Sequence, residues 1–340
     1  MYLQSKAYHM KYSLAFLLIL LAGICDAQEI PDSTSLRPEI GSIVDSIIND
    51  GLLESKRIGY AGTISGQWKR SEKLGKVSSD KELYTLTSNI KAVVRCYAFQ
   101  ELVLRQSPVA YQVLLNHLRD TSHVSIMNYD VIYHEQVGDR FLAIAFSGYL
   151  NVSQMASIDS ILIYGSNIRL TAKDNLLMSL NPDPKYYSRI REILIHEKNP
   201  VAGIALSRYK NRDDIPIIRP LFDKDYTQYY GIFYARELPD SSFYDTLVKI
   251  FNHEWHEKYY DYSKWRILYQ ALAKYPNQKT LELFKKTLNT KNEFRHNTLC
   301  KYLLIAITKY PDKSYERFKS KIKLSKYYMD EVQREADIDK

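Results

Sequence analysis

A seven-residue segment recurs four times in the second half of the chain, and it constrains the fold more than any other feature. Three copies agree at their first five positions, which are in order alanine, then leucine or isoleucine, then a small residue, then arginine or lysine, and then tyrosine. The fourth copy matches this pattern more loosely. Each copy indicates the end of an apolar helix that proline or a turn residue breaks. The copies are residues 205–211, 234–240, 271–277 and 306–312.

The spacing of the copies gives the period of the repeat. The breaks at Tyr209, Leu238, Tyr275 and Tyr310 are separated by 29, 37 and 35 residues, a period typical of helix pairs stacked in a row. An apolar triple at i, i+3 and i+7 follows each break, and that spacing lies on one face of a helix. The triples are Ile215/Ile218/Phe222, Tyr244/Leu247/Phe251, Leu281/Phe284/Leu288 and Tyr315/Phe318/Ile322.

A further helix pair is predicted nearer the N-terminus. Ser79 and Glu82 have the spacing of a capping box, in which both side chains satisfy free backbone amides at a helix start. Residues 94–102 then form a second, almost wholly apolar helix. These patterns together predict an all-α fold.

The apolar helix carries a resemblance to a known family. The pattern Val94-Arg95-x-x-Ala98-x-x-x-Leu102 resembles the second helix of a HEAT repeat, and the capped helix before it resembles the first. Asn89 stands where HEAT repeats carry an aspartate six residues before the arginine.

The HEAT resemblance covers roughly residues 78–120 and 175–325. In the copy at 201–205, Ala202 occupies the arginine position. The resemblance implies an α-α superhelix, an α-solenoid of the armadillo type, that is used mainly to bind other proteins. It implies no catalytic residue, cofactor or metal.

Residues 1–27 indicate a signal peptide. Two lysines precede the apolar run at 14–22, and Cys25 and Ala27 are small residues at the −3 and −1 positions of a cleavage site. The run is too short to cross a membrane as a stable helix. We therefore predict export to the periplasm or secretion, with cleavage after Ala27.

Two alternatives bear on this N-terminal segment. A lipoprotein anchor on Cys25 is disfavoured, because the residue before a lipidated cysteine is normally small and here it is Ile24. Translation starts at either Met1 or Met10, since each begins an acceptable signal peptide.

The predicted organisation has four parts, one of which is interrupted. Residues 124–134 alternate poorly and lack the alanine of a repeat helix, so an irregular insertion or degenerate repeat with at most a short hairpin is expected. The parts are a signal peptide (1–27), an N-terminal helix and connector (28–77), a HEAT-like array (78–325) with the insertion at 119–172, and a C-terminal tail (326–340).

Composition and charge narrow the class of partner. The chain is 45% hydrophobic and 25% charged, which is typical of a globular protein. Its net charge is +8, and removing residues 1–27, with two lysines and one aspartate, leaves +7. An exported protein rarely meets nucleic acid, so no nucleic-acid partner is predicted. The 29 tyrosines suit a ligand groove or, more simply, half-buried helix faces.

The mature chain keeps two cysteines, Cys96 and Cys300, each inside an apolar helix pattern. In a solenoid each repeat touches only its neighbours, so cysteines several repeats apart cannot reach the separation of about 6 Å between Cα atoms that a disulfide needs. Both are therefore predicted to be free, buried thiols.

Weak candidates for metal ligands are His253, His256 and Glu257. A helical zinc protease places two histidines at i and i+4, whereas these two are three residues apart. His253 instead pairs at i+4 with Glu257, and a zinc site would need further ligands from elsewhere. We predict no metal, cofactor or catalytic residue.

Two other segments leave alternatives open. Asp130, His134 and Glu135 lie in the insertion, where function tends to be found, but no nucleophile motif accompanies them. Residues 313–326 are rich in lysine and apolar residues, and suit either contact with an anionic membrane surface or a helix that caps the array.

The leading hypothesis is an exported, non-enzymatic α-solenoid that binds a protein or peptide on its concave face. One alternative is a hydrolase or metal-dependent enzyme, with a site in the 119–172 insertion or near His253 and His256. A second is an envelope module that binds anionic lipid or glycan through its basic C-terminal helix.

Overall fold

The computed structural model describes residues 36–223 and 228–337. The predicted signal peptide, with Cys25 and Ala27, lies outside the described residues, as do residues 338–340 of the predicted tail. Within the described ranges the chain is predominantly helical, as the repeat pattern predicts, and it also contains a small four-stranded sheet.

Eighteen α-helices lie within the described residues. They are α1 (Pro38–Asp50), α2 (Gly66–Val77), α3 (Asp80–Leu86), α4 (Ala92–Leu104), α5 (Ala110–Asn116), α6 (Val137–Phe146), α7 (Val152–Tyr164), α8 (Thr171–Ser179), α9 (Pro184–Ile195), α10 (Val201–Ser207), α11 (Ile215–Phe222), α12 (Gln228–Glu237), α13 (Ser241–His256), α14 (Tyr262–Leu272), α15 (Gln278–Leu288), α16 (Glu293–Lys309), α17 (Glu316–Lys319) and α18 (Lys326–Asp337). Two 3-10 helices are Arg212–Asp214 and Lys313–Tyr315.

The sheet corrects the all-α prediction. Its strands are β1 (Leu53–Ile58), β2 (Thr63–Ile64), β3 (His123–Tyr129) and β4 (Val131–Gln136), in the order β2-β1-β3-β4. The pairs β1–β2 and β3–β4 are antiparallel, and β1 runs parallel to β3 with Leu53 opposite Ile126. The hairpin expected near 124–134 is therefore present. Strands β1 and β2, however, lie in the segment 28–77 that was predicted to be a helix and a connector.

The described residues divide into two compact units, with the boundary between Val152 and Ser153. In the first unit α4 is the central element, since it packs against α1, α2, α3, α5, α6 and two strands. Every side chain of α4 from Val93 to Val103 is buried. A helix that is apolar on all sides needs neighbours on all sides, and this arrangement supplies them. The capping box of Ser79 and Glu82 is also confirmed.

In the second unit the helices form successive antiparallel pairs. The first helices α9, α11, α13 and α15 each pack against the helix that follows in the chain, which is α10, α12, α14 or α16. These second helices also pack against one another in chain order, with α8 before them and α18 after them. Each of the four repeated copies lies where a second helix ends.

The last residue of each copy explains why the segment recurs. It is an asparagine or aspartate whose side-chain oxygen accepts a hydrogen bond from a backbone N–H at the start of the next helix, at 2.9–3.1 Å. Each copy therefore contains both the end of one helix pair and the N-cap of the next, because the free amides of a helix start need an acceptor. These caps are Asn211, Asp240, Asn277 and Asp312.

In two of the copies the tyrosine closes its own helix pair. The Tyr209 hydroxyl donates to the carbonyl oxygen of Asp183 at 2.7 Å and accepts from the Asp183 N–H at 3.1 Å. Tyr275 makes the same contact with Asp240, at 3.2 Å in both directions. Asp183 and Asp240 are the N-caps of α9 and α13. We call Tyr209 and Tyr275 the closing tyrosines, since each ties the end of a second helix to the start of its first helix.

Tyrosines of the first helices join one pair to the next. The Tyr187 hydroxyl on α9 accepts a hydrogen bond from Asn211 Nδ2 at 2.7 Å. The Tyr244 hydroxyl on α13 donates to Asn277 Oδ1 at 2.8 Å. In both cases the partner is the N-cap of the following pair. Part of the tyrosine excess thus serves half-buried helix contacts.

A tyrosine also closes a helix pair in the first unit, and this contact shows where the insertion lies in the chain. The Tyr149 hydroxyl, just after α6, donates to the Ser107 carbonyl oxygen at 2.8 Å and accepts from the Tyr111 N–H at 3.2 Å, at the start of α5. Helices α5 and α6 are therefore a helix pair, and the β3–β4 hairpin is inserted between its two members. The rest of the predicted 119–172 insertion is helical, in α6, α7 and the start of α8.

The apolar triples form the core that their spacing predicts. Nine of the twelve side chains are buried, and the other three are half-buried against the same core. The segment 326–340, predicted as a tail, contains α18, which packs against α16 and buries Val332. Helix α18 is thus a part of the folded unit.

Removing the hydroxyl of one closing tyrosine tests its role in stability. We expect Tyr209→Phe or Tyr275→Phe to lower the free energy of unfolding by about 1–2 kcal/mol, because each change leaves the backbone N–H of an N-cap residue without its partner. Urea unfolding of the chain from Gln28 onward measures the loss. Tyr259→Phe is the matched control, since Tyr259 is exposed, and it should leave the midpoint unchanged. Equal midpoints for all three variants would contradict the assignment.

Candidate functional site

The structure does not bring His253, His256 and Glu257 together as a metal site. His253 is exposed near the end of α13, with Nε2 3.5 Å from Glu257 Oε1. His256 donates from Nδ1 to the carbonyl oxygen of Asn252 at 2.7 Å, which belongs to the same helix. Zinc ligands approach the metal at about 2.0–2.3 Å from four directions, and no group of three or more ligating side chains among residues 36–223 and 228–337 is placed to hold an ion.

The hairpin residues of the enzyme alternative are also separated. Asp130 lies in the exposed turn between β3 and β4. His134 faces Ser125 across the hairpin, with Nδ1 3.1 Å from Oγ. Glu135 follows His134 on the strand, so its side chain points to the opposite face. Burial raises the pKa of Glu135, although Arg140 nearby lowers it. The three side chains therefore share no common site.

The sequence interpretation missed one pair of reactive residue types, Cys300 and His296 on α16. The Cys300 Sγ lies 3.6 Å from His296 Nε2, because residues four apart on a helix are neighbours. A catalytic cysteine needs a thiolate, and hence a depressed pKa. Burial instead raises the pKa of Cys300 to about 12. Cys300 is a buried core residue and His296 is half-buried beside it, so the raised pKa of the thiol disfavours a nucleophilic role.

A polar cleft of about 570 Å³ lies between the segment that leads into α8, the loop that joins α9 to α10, and Tyr230 of α12. At one side Glu197 accepts from the buried Lys173 at 2.7 Å and also pairs with Arg189. Asn199 donates to Asp174 at 2.6 Å, and its own oxygen accepts from the backbone at the start of α10. These hydrogen bonds connect elements of the fold, so these polar groups of the cleft have a structural role.

A row of cations emerges from the repeated copies. The fourth residue is basic in each of the three close copies. In the looser copy the third residue is an arginine. All are half-buried at the C-terminal ends of successive second helices, which pack side by side. We call these residues the cation row: Arg208, Arg236, Lys274 and Lys309.

The members of the cation row lie close enough to act on one another. Burial lowers the pKa of Lys274, and repulsion from Lys210 and Arg236 lowers it further. Burial likewise lowers the pKa of Lys309, with repulsion from Arg236 and Arg266 in the same direction. The Lys274 ammonium also lies 3.9 Å from the ring centroid of Tyr310, in the next copy. The repeat therefore concentrates positive charge on one face of the second unit.

Carboxylates approach this face from within the same unit. Glu237 pairs with Arg236. On α18, Glu331 lies 2.7 Å from Lys301 of α16, and Glu335 lies 2.7 Å from Arg266 of α14. The second helices thus bind carboxylates of a helix that packs against them.

The segment 313–326 does not present an apolar face to solvent. Tyr315, Phe318 and Ile322 are buried in the core of the second unit. Contact of these side chains with a membrane surface would require this segment to leave the core.

No protein-family model, curated protein or solved structure matches this chain. Within residues 36–223 and 228–337, no helix combines the length and the apolar character that crossing a bilayer requires.

Cys96 and Cys300, the two cysteines among the described residues, are free and buried, which predicts how they react. Burial raises the pKa of each thiol to about 12, so on the order of one thiol in ten thousand is ionised at pH 8. We expect the native chain from Gln28 onward to resist an alkylating reagent at pH 8, and the denatured chain to take up two equivalents. Mass spectrometry with and without denaturant measures the uptake. Rapid modification of Cys300 in the native protein would show that His296 activates it.

Proposed function

We propose that this protein is an exported, non-enzymatic α-solenoid, built from HEAT-like helix pairs, that binds a protein or peptide partner. The binding surface is the face on which the second helices α10, α12, α14 and α16 end. The observation that carries the proposal is the cation row, because it places a basic residue of each repeat copy on neighbouring helices.

The geometry of the row favours a chain-like partner over a small ligand. Packed helices lie about 8–10 Å apart, so a row over four second helices extends for roughly 25–30 Å. An extended peptide covers that distance with about eight or nine residues at about 3.3 Å each. A surface that repeats its chemistry at each helix suits a partner that also repeats along its length.

The internal hydrogen bonds support a scaffold role. Each closing tyrosine holds the end of a second helix against a fixed backbone group. Tyr187 and Tyr244 on the first helices each hold one pair on the next. Second helices that are held in this way present their ends with little freedom. A preorganised surface loses less conformational entropy when a partner binds.

Site-specific photo-crosslinking tests this function. A photo-reactive amino acid in place of Thr308, which is exposed on α16, should crosslink a discrete partner in cells that export the protein. The matched control carries the same amino acid in place of Lys285, which is exposed on the first helix α15. We expect a crosslinked product from position 308 and none from position 285.

Two outcomes would contradict the proposal. Equal crosslinking from both positions would show that the second-helix face has no special role. Absence of a product at position 308, combined with turnover of a substrate by the pure protein, would favour the enzyme alternative instead.

A further inference from the structure

We propose that the cation row, together with the neighbouring Lys210, binds an acidic segment of the partner protein, and that Lys274 and Lys210 bind most of its carboxylates. This inference deepens the proposed function, on which it rests, by naming the chemistry of the partner. The contribution of Lys210 follows from its position, since it lies two residues after Arg208 in the first of the three close copies and is exposed.

The carboxylates that act on the row already form ion pairs with arginines. Two of them, Glu237 and Glu335, act on the charges of the row. Glu237 is paired with Arg236, and Glu335 is paired with Arg266. In the part of the chain that the structure describes, no carboxylate forms an ion pair with Lys210 or Lys274. These two lysines therefore keep their charge available for an external anion.

The setting of Lys274 makes an external carboxylate favourable. Its ammonium is half-buried and lies over the ring of Tyr310, so it is less hydrated than a lysine on an open surface. It also experiences repulsion from Lys210 and Arg236. An anion placed between these cations would relieve the repulsion, and partial burial would strengthen the attraction by lowering the effective dielectric constant.

Helix α18 shows which kind of anion this face accepts. It packs on α16 and brings Glu331 and Glu335 to cations of α16 and α14. These contacts are carboxylate–ammonium and carboxylate–guanidinium pairs made by a polypeptide segment. A protein segment with acidic side chains would extend the same chemistry along the row towards α10. We therefore commit to protein carboxylates rather than to a lipid headgroup or a sulfated glycan.

Binding of a defined acidic peptide tests the inference. The probe is a fluorescein-labelled peptide of alternating glutamate and serine, about ten residues long so that it extends for about 30 Å. Fluorescence anisotropy with the chain from Gln28 onward gives the affinity, at low salt and again near 0.5 M salt. Vesicles of phosphatidylglycerol and free heparin serve as competitors in separate titrations.

The variants are matched in charge. The test variant is Lys210→Gln with Lys274→Gln, and the control is Lys249→Gln with Lys285→Gln, which removes two exposed lysines from the first helices α13 and α15. A third variant, Lys210→Arg with Lys274→Arg, restores the charge. Circular dichroism melting establishes that each variant is folded.

We expect the test variant to bind the peptide about thirtyfold more weakly than the unmodified chain, because two charge-assisted contacts are lost and each is worth on the order of 1 kcal/mol. The control variant should stay within about twofold, the arginine variant should retain binding, and added salt should weaken it. Equal losses in the test and control variants would overturn the inference. So would the absence of peptide binding, or tighter binding of vesicles or heparin than of the peptide.

The failure of this inference can be told apart from that of the proposed function. If position 308 crosslinks a partner but the acidic peptide does not depend on Lys210 and Lys274, the scaffold role stands and the acidic class of partner is wrong. If position 308 yields no product and the pure protein turns over a substrate, the proposed function fails irrespective of the peptide titration.

Discussion

The second unit depends on a hydrogen bond between a tyrosine hydroxyl and the backbone of a helix N-cap. At Tyr209 and Tyr275 the hydroxyl both donates to and accepts from the cap residue, so it fixes the end of one helix to the start of its antiparallel partner. A backbone amide at a helix start would otherwise need water. The contact supplies its partner within the protein and fixes the register of the two pairs that have a closing tyrosine.

This register determines which side chains share a face. The residue before a closing tyrosine, Arg208 or Lys274, therefore lies at the same height in its pair. Lys309 occupies the same position in the third close copy, and Arg236 takes a nearby position in the looser copy. The same seven residues that stabilise the stack therefore also align its charge, and in this way one repeat links the fold to the proposed binding surface.

Much of the fold, but little of the surface, could be predicted from the sequence. Helix pairs and their buried triples follow from local spacing, and the Ser79 capping box is a local signal as well. Strand β1 was missed because its sheet partner β3 is distant in sequence, and local patterns do not report such pairing. The caps were visible as the last residue of each copy. The basic residues of the copies were visible too, but along a linear chain they look dispersed, and only helix packing brings them together.

Native-state hydrogen exchange of two backbone amides tests the central claim most directly. The N–H groups of Asp183 and Asp240 precede α9 and α13, where amides normally exchange rapidly because no helical carbonyl is available to them. If the closing tyrosines hold the pairs, both amides are protected, and Tyr209→Phe removes the protection of Asp183 while leaving that of Asp240. Exchange of both amides in the unmodified protein at the rate of an open loop would contradict the account.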